Sequence, residues 1–174
     1  IAGGGPEAGA ATTPAAGLAA TTADGPLSAF LGAAEFTEQP LHDAGRFPNI
    51  VITPAGTVLS VFGDVEVRRS EDGGRSFGEP IRVADGFMGG GTIVDDATGG
   101  VLVFIEEGHP PAPLTIHRSD DDGRSWREVP FTIHPDETGA VPSMHMNESG
   151  LTLRRGPNAG RLIRAARHYD RGND

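Results

Sequence analysis

Short apolar runs separated by glycine- and proline-rich turns follow one another from residue 49 onward. Within each run, valine, isoleucine or leucine alternates with other residues over a few positions, which is typical of β-strands and not of helices. The first four runs are NIVI, TVLSVFG, VEVRR and GEPIRVA. Because each is followed by a short turn, they predict a four-stranded antiparallel unit.

The same succession then repeats. The second unit consists of GTIVDD, VLVFIEE, LTIHR and REVPFTI, and a third begins with ESGLTLRR and RLIRAAR. A supersecondary unit that recurs at a fixed spacing is the signature of a repeat architecture. The chain therefore predicts an all-β fold with about two and a half four-stranded units.

Two octapeptides lie at equivalent places in the first two units. Residues 70–77 read SEDGGRSF and residues 119–126 read SDDDGRSW, so both fit Ser-x-Asp-x-Gly-x-x-aromatic. The serine and aspartate can accept hydrogen bonds from the turn's own backbone, and the glycine can adopt a positive φ. We interpret both octapeptides as structural hairpin turns.

Composition limits the possible partners and the extent of the domain. The chain has 174 residues with 26 glycines, 14 prolines, no cysteine and a net charge of −10. This charge argues against nucleic acid and against an anionic membrane surface, and no apolar run reaches the roughly 20 residues of a membrane span. Residues 1–27 are rich in alanine, glycine and proline, so we expect a flexible leader before a folded region at 28–174.

At this point the chain resembles the sialidase (neuraminidase) superfamily over residues 42–174. The octapeptides match its Asp-box (BNR) repeat, and Gly45-Arg46-Phe47-Pro48 resembles its Arg-Ile-Pro motif with phenylalanine in place of isoleucine. The resemblance implies a β-propeller with six blades when complete, of which this chain would be the N-terminal part. Because an open half-propeller exposes strand edges, we expect it to be unstable unless the missing C-terminal half or another chain completes it.

Loops in a four-stranded meander alternate between two ends of the sheet. The turns between strands one and two, and between strands three and four, share one end, here called the bottom end. The start of strand one and the loop between strands two and three share the other, the top end. Site residues are usually carried on such loops, and most residues here with catalytic or anion-binding character fall at the top end.

Arg46 and Asp64 are the principal candidates at the top end. Arg46 precedes the first strand, and a guanidinium matches a carboxylate through two parallel hydrogen bonds. The resemblance makes Arg46 a member of the arginine triad that holds the sialic acid carboxylate; a surface arginine is the alternative. By the same resemblance Asp64 is the acid/base residue, although only Gly63 and Asp64 separate the two strands. A turn aspartate, with Glu66 as another possible acid, is the alternative there.

Further polar residues of the top loops are candidate substrate contacts. They are His109, His145, Glu148 and Arg167. The histidines could hydrogen-bond sugar hydroxyls or move a proton. A metal site is the alternative, but no HxxxH or HExxH spacing supports it.

The resemblance implies an exo-α-sialidase-like glycoside hydrolase that removes terminal sialic acids from glycoconjugates and needs no cofactor. The partner would be a sialylated glycan or another sugar acid, and export to the bacterial periplasm or medium is expected. The nucleophilic tyrosine is missing, since the one tyrosine, Tyr169, is in the wrong place. The alternative is a non-catalytic carbohydrate-binding or interaction propeller, and a third possibility is an enzyme acting on another sugar acid.

Overall fold

Ten β-strands form three antiparallel sheets in the part of the chain that the computed structural model describes. The described residues are 38–42, 48–62, 65–86, 91–108, 112–141, 143 and 149–167. All of them belong to one unit, residues 32–174.

The first two sheets are four-stranded meanders in which sequence neighbours pair. The first has the order β1-β2-β3-β4 and the second β5-β6-β7-β8. The first sheet contains β1 (Asn49–Ile52), β2 (Val58–Phe62), β3 (Glu66–Ser70) and β4 (Ile81–Arg82). The second contains β5 (Thr92–Val94), β6 (Val101–Glu106), β7 (Leu114–Ser119) and β8 (Arg127–Glu128). The predicted succession of strands is confirmed.

The third sheet pairs β9 (Leu151–Thr152) with β10 (Leu162–Ile163). The first strands of the three units are neighbours, since β1 lies against β5 and β5 lies against β9. Hydrogen bonds join these inner strands. Thr152 Oγ1–H of β9 donates to Val94 O of β5 at 2.9 Å. Just before β9, Gly150 N–H donates to Thr92 O and Ser149 Oγ–H donates to Asn49 Oδ1, both at 3.0 Å. Meanders packed face to face through successive inner strands form a partial β-propeller, with two blades and half of a third.

The main core lies between the first and second blades. Leu59 and Val61 of β2 are fully buried, as are Val101 and Val103 of β6, and all four belong to one hydrophobic cluster. Strand alternation directs Leu59 and Val61 to the same face, as it does Val101 and Val103. Each such side chain contributes about 1.5–3 kcal/mol when it is fully buried, so this core holds the two blades together.

The other face of the first blade is covered in part by residues 38–42. The His42 ring stacks on Phe62 with centroids 4.3 Å apart, and its Nε2 lies 3.1 Å from Ser60 Oγ. The Gln39 side chain donates to Gly74 O at 2.8 Å. The segment that precedes the first strand is therefore part of the folded unit.

Candidate functional site

The hairpin turns of the first two blades gather at the bottom end. Two adjoining open clefts are lined jointly by the β1–β2 turn, the β5–β6 turn and both octapeptides. The residues that line the clefts are Pro54, Ala55, Gly56, Thr57, Glu71, Thr98, Gly99, Asp120, Asp121, Asp122 and Arg124. The predicted grouping of these turns at one end is confirmed.

Most of the predicted site residues lie outside the described part of the chain. These are Arg46, Asp64, His109, His145 and Glu148. The roles assigned to them remain predictions. Arg167 is the predicted site residue that the structure describes.

Arg167 lies after β10, with an exposed side chain, and forms an isolated β-bridge with Ser143. Ser143 N–H donates to Arg167 O at 2.8 Å, and Arg167 N–H donates to Ser143 O at 3.1 Å. Because β10 is the second strand of its blade, its end lies at the top end. The bridge therefore fastens the end of the third blade to the segment that follows the second.

A buried acid that the sequence reading did not single out lies beside this bridge. Glu106 is the last residue of β6 and is 2% exposed, and Ser143 Oγ lies 3.5 Å from its Oε1. Two residues earlier, the Arg164 guanidinium carbon lies 4.3 Å from the centre of the Phe104 ring. In the sequence, Glu106 ends an apolar run, and strand alternation places it on the same face as Phe104. These two features were the available signal for a buried acid.

The connection between β2 and β3 is a tight turn. Val65 N–H donates to Phe62 O at 2.8 Å, and the strands pair in register up to Phe62 and Glu66. Val65 is fully buried with a φ of 57°, in the left-handed region that β-branched residues avoid. Such strain costs about 1–3 kcal/mol and is concentrated at functional sites. Strain is therefore present next to the candidate acid Asp64.

The first octapeptide is closed by hydrogen bonds from its own residues. Gly74 N–H donates to Ser70 Oγ at 2.8 Å, and Ser70 Oγ–H donates to Asp72 Oδ1 at 2.7 Å. Asp72 also accepts from the backbone N–H and the hydroxyl of Ser76, at 2.9 and 2.6 Å. Hydrogen bonds from the Ser76 side chain, then from its backbone, and from Ser70 hold the pKa of Asp72 well below its usual range.

The second octapeptide repeats this geometry atom for atom. Gly123 N–H donates to Ser119 Oγ at 2.8 Å, and Asp121 accepts from the Ser125 N–H and hydroxyl at 2.8 and 2.6 Å. Desolvation raises the pKa of Asp121, but the hydrogen bonds from Ser125 and Ser119 outweigh it and bring the pKa to about 2. Both aspartates thus act as fixed turn acceptors, and their low pKa values do not suit a general acid.

The second octapeptide also docks into the first blade. Asp122, with a φ of 65°, accepts from Arg69 Nε at its backbone oxygen at 2.8 Å, and its carboxylate accepts from the Thr57 hydroxyl. Gly123 is buried, and a Cβ at this position would lie 2.9 Å from Leu59 Cδ2. The glycine is therefore needed twice, for its φ of 83° and for the space beside Leu59.

An ion pair links the two octapeptides directly. Arg124 of the second donates to Glu71 of the first at 2.8 Å, and Arg69 donates to the same carboxylate at 2.9 Å. Arg124 and Glu71 are both more than half exposed, and exposed pairs contribute only about 0–1 kcal/mol. The pair nevertheless places the acid of the first octapeptide opposite an arginine of the second.

A similar cluster surrounds Arg118 within the second blade. Its guanidinium pairs with Asp95 at 3.6 Å and Asp120 at 2.5 Å, and donates to Thr98 Oγ1 at 2.7 Å. Desolvation raises the pKa of Asp95, but hydrogen bonds from Thr98 and Ala97 and the charge of Arg118 leave it lowered overall. These charges neutralise one another within the turn and are not directed at a ligand.

One histidine is enclosed in the sheet. His117 of β7 is 9% exposed, and its Nδ1 is buried with no hydrogen-bond partner among the described residues. Burial lowers the pKa of His117, and the charge of Glu128 on β8 opposes this. We therefore expect the ring to be neutral at pH 7.

The described residues contain no group of three or more histidine, cysteine or acidic side chains placed to hold a metal ion. Within the same ranges, no helix has the length and apolar character needed to cross a bilayer. At the top end, the described residues supply hydrogen bonds, the charges of Arg164 and Arg167, and the buried carboxyl group of Glu106.

The sequence is similar to that of a known protein. A sialidase from Micromonospora viridifaciens is 31% identical over 173 residues, an alignment that covers 74% of this chain and 27% of that protein. The chain thus spans about a quarter of the length of this curated relative. A scan against models of protein families found no match.

Two solved structures superpose on part of the chain. The Hadza microbial sialidase Hz136 superposes with a TM-score of 0.47 at 20% identity, over 63% of this chain and 30% of that one. A protein of unknown function from Dyadobacter fermentans DSM 18053 superposes with a TM-score of 0.36 at 18% identity, over 55% of this chain and 42% of that one. The fold assignment depends on the strand order and packing described above and not on these superpositions.

Proposed function

Because this chain belongs to the sialidase superfamily, we propose that it forms part of an exo-α-sialidase-like glycoside hydrolase that removes terminal sialic acids from glycoconjugates. The 31% identity to the Micromonospora viridifaciens sialidase carries the proposal. Since the chain spans 27% of that relative, the other blades and the remaining catalytic groups would come from a C-terminal part of the protein or from another chain.

The division of the sheets into two ends supports a site at the top. The bottom end of the first two blades consists of hairpin turns whose charges are paired with one another. Arg167 lies at the top end with an exposed side chain. In this proposal Arg46 binds the sugar carboxylate, Asp64 serves as the general acid, and Arg167, His109, His145 and Glu148 contact the remainder of the sugar.

An anionic ligand is compatible with the overall charge of −10. Arginine recognises a carboxylate through short, directed hydrogen bonds, whereas the field of the whole protein chiefly affects association rates. The ligand would therefore be selected by a few arginines at the top end. Because sialylated glycans are extracellular, we also propose that the protein is exported.

One observation favours a second candidate, a sugar-binding propeller without catalysis. The β2–β3 connection is a tight turn, with Val65 N–H bonded to Phe62 O at 2.8 Å. The resemblance implies a longer loop here for the acid/base residue. A turn this short limits how far an acid can reach toward a glycosidic oxygen.

The test is hydrolysis of a fluorogenic sialoside by the full-length protein and its Arg46→Ala and Asp64→Asn variants. Arg75→Ala is the matched control, because Arg75 is an exposed arginine of the first octapeptide, at the bottom end. We expect turnover by the wild type and the control. Asp64→Asn should lose at least about a hundredfold, since a general acid contributes about 10²–10⁴-fold, and Arg46→Ala should lose turnover because the sugar carboxylate loses its bidentate partner.

Other outcomes would change the assignment. Turnover that survives Asp64→Asn would move the acid role to another residue. Sialic acid binding that requires Arg46, without turnover by the wild type, would establish the sugar-binding propeller. Absence of both binding and turnover would refute the proposal.

A further inference from the structure

We propose that Glu106 is a positioning residue of the top-end site, which acts through Ser143 to hold Arg167 where a sugar acid binds. The nature of the ligand rests on the proposed function. The contacts that carry the inference do not depend on it.

Burial of the Glu106 carboxyl group raises the free energy of the folded state unless the group makes specific interactions. Its side chain is 2% exposed at the end of a strand whose preceding residues, Phe104 and Ile105, are also buried. Removing a carboxyl group from water costs several kcal/mol unless hydrogen bonds or a charge compensate. An apolar side chain of similar volume would pack at this position without that cost. Packing alone therefore does not account for an acid here.

Strand alternation shows which blade Glu106 faces. Successive residues of β6 point to opposite faces, so Phe104 and Glu106 share one face while Val103 and Ile105 share the other. Val103 and Ile105 belong to the core cluster shared with the first blade. Glu106 must therefore face away from the first blade, toward the segments that follow the second.

Two contacts on this face connect it to the third blade. Arg164, just after β10, lies over the Phe104 ring at 4.3 Å. Ser143 Oγ lies 3.5 Å from Glu106 Oε1. The face of β6 that carries Glu106 is thus the surface against which the end of the third blade docks, and that end carries two arginines, Arg164 and Arg167.

Ser143 links Glu106 to Arg167, because its side chain contacts Glu106 and its backbone pairs with that of Arg167. Ser143 and Arg167 exchange both backbone hydrogen bonds, at 2.8 and 3.1 Å. Loss of the Glu106 contact would remove one restraint on the Ser143 side chain and loosen this bridge. Arg167 would then sample more positions, and its contact with the part of the sugar outside the carboxylate would weaken.

Glu106 also lies at the base of the loop that follows β6. Glu107 N–H donates to Pro113 O at 3.1 Å and closes that loop, which contains His109. On the other side, Ser143 immediately precedes the segment that contains His145 and Glu148. Glu106 and Ser143 thus precede, in sequence, the two segments that carry these candidate residues.

The experiment compares Ser143→Ala, Glu106→Met and Glu106→Gln in the full-length protein, with Glu107→Gln as the matched control. Ser143→Ala and Glu106→Met each remove one partner of the same contact, whereas Glu106→Gln keeps an acceptor oxygen. Glu107 is the adjacent acid, and it is exposed. The first readout is hydrogen exchange at the Ser143 and Arg167 amides, which donate to each other's carbonyl oxygens.

We expect Ser143→Ala and Glu106→Met to reduce protection of both amides about fivefold, the equivalent of one hydrogen bond of about 1 kcal/mol. The double variant should lose less than the sum of the two single variants, because both single substitutions remove the Glu106–Ser143 contact. Glu106→Gln should retain most of the protection, and Glu107→Gln should match the wild type. The KM for a fluorogenic sialoside should rise by a similar factor in the first two variants, with little change in kcat.

The two proposals can fail separately. Unchanged protection of the Ser143 and Arg167 amides in Ser143→Ala would overturn the positioning role, even in an active sialidase. If Glu106→Met does not fold, Ser143→Ala still decides the question. Reduced protection in a protein that neither binds nor cleaves the sialoside would support the positioning role and refute the ligand. Equal effects of Glu106→Met and Glu107→Gln would also overturn it.

Discussion

Replacing Gly123 by alanine tests how the second octapeptide is joined to the first blade. Gly123 has a φ of 83°, and an added Cβ would lie 2.9 Å from Leu59 Cδ2 and 3.1 Å from Leu59 Cδ1. Leu59 is fully buried in the core between the blades, so it has little room to move aside. The substitution therefore introduces backbone strain and a steric clash together.

The equivalent residue of the first octapeptide separates these two effects. Gly74 has a φ of 90°, but nothing lies within 4 Å of an added Cβ. A left-handed conformation costs an ordinary residue about 1–2 kcal/mol, and overpacking a core costs about 1–3 kcal/mol. We expect Gly74→Ala to lower the free energy of unfolding by about 1–2 kcal/mol and Gly123→Ala by about 2–5 kcal/mol.

Urea denaturation followed by circular dichroism would measure both changes, with the m-value as the check that unfolding remains comparable. The difference between the two variants is the informative quantity, because the turn geometry and the substitution are the same. Equal losses of stability would show that the second octapeptide does not pack against Leu59. A larger loss in Gly74→Ala would contradict the reasoning entirely.

Two further predictions concern pH, and a third concerns the blade boundary at the inner strands. Because burial lowers the pKa of His117, the folded state favours the neutral ring. The free energy of unfolding should therefore fall as the pH drops below about 6.5, where the ring of the unfolded chain takes up a proton. His117→Gln should flatten the fall in Tm between pH about 7 and 5; an unchanged slope would exclude His117 as its source. For Asp121, whose folded pKa of about 2 lies below its usual value, Asp121→Asn should cost about 1 kcal/mol at pH 7, kept small by solvent exposure. This gap should shrink as the pH falls from about 4 to 2, and a gap that is independent of pH would contradict the prediction. Gly150→Ala would place a Cβ against the Ile93 side chain, so it should destabilise the docking of the third blade by about 1–3 kcal/mol in urea denaturation, and wild-type stability would show that this contact is loose.

The strands and turns could be predicted because their signals are local. Alternation in NIVI and VLVFIEE marks the strands, and the serine, aspartate and glycine of each octapeptide bond one another within five residues of sequence. The order of the blades then follows from repetition. The outermost strands β4 and β8 are two residues long, shorter than GEPIRVA and REVPFTI suggested, because little of their surface is covered.

The contacts between blades could not be predicted, since they join residues far apart in sequence. The second octapeptide has Asp122 where the first has Gly73, but nothing in its sequence shows that Asp122 binds Arg69 of the first blade. Glu106 was missed for the same reason: its contact with Ser143 joins residues that are 37 positions apart. The roles of Arg46 and Asp64 came from the family resemblance and remain predictions, as they fall outside the described ranges.

The ion pair between the octapeptides joins an acid of the earlier copy to an arginine of the later copy. Glu71 is the second residue of its octapeptide, and Arg124 is the sixth residue of the next one. The first octapeptide also has an arginine at its sixth position, Arg75, and the second also has an acid at its second position, Asp120. Both copies thus carry an acid at the second position and an arginine at the sixth, although Asp120 pairs with Arg118 and Arg127 of its own blade. Tandem duplication of a blade would therefore place an acid of one copy before an arginine of the next, the order that Glu71 and Arg124 have here.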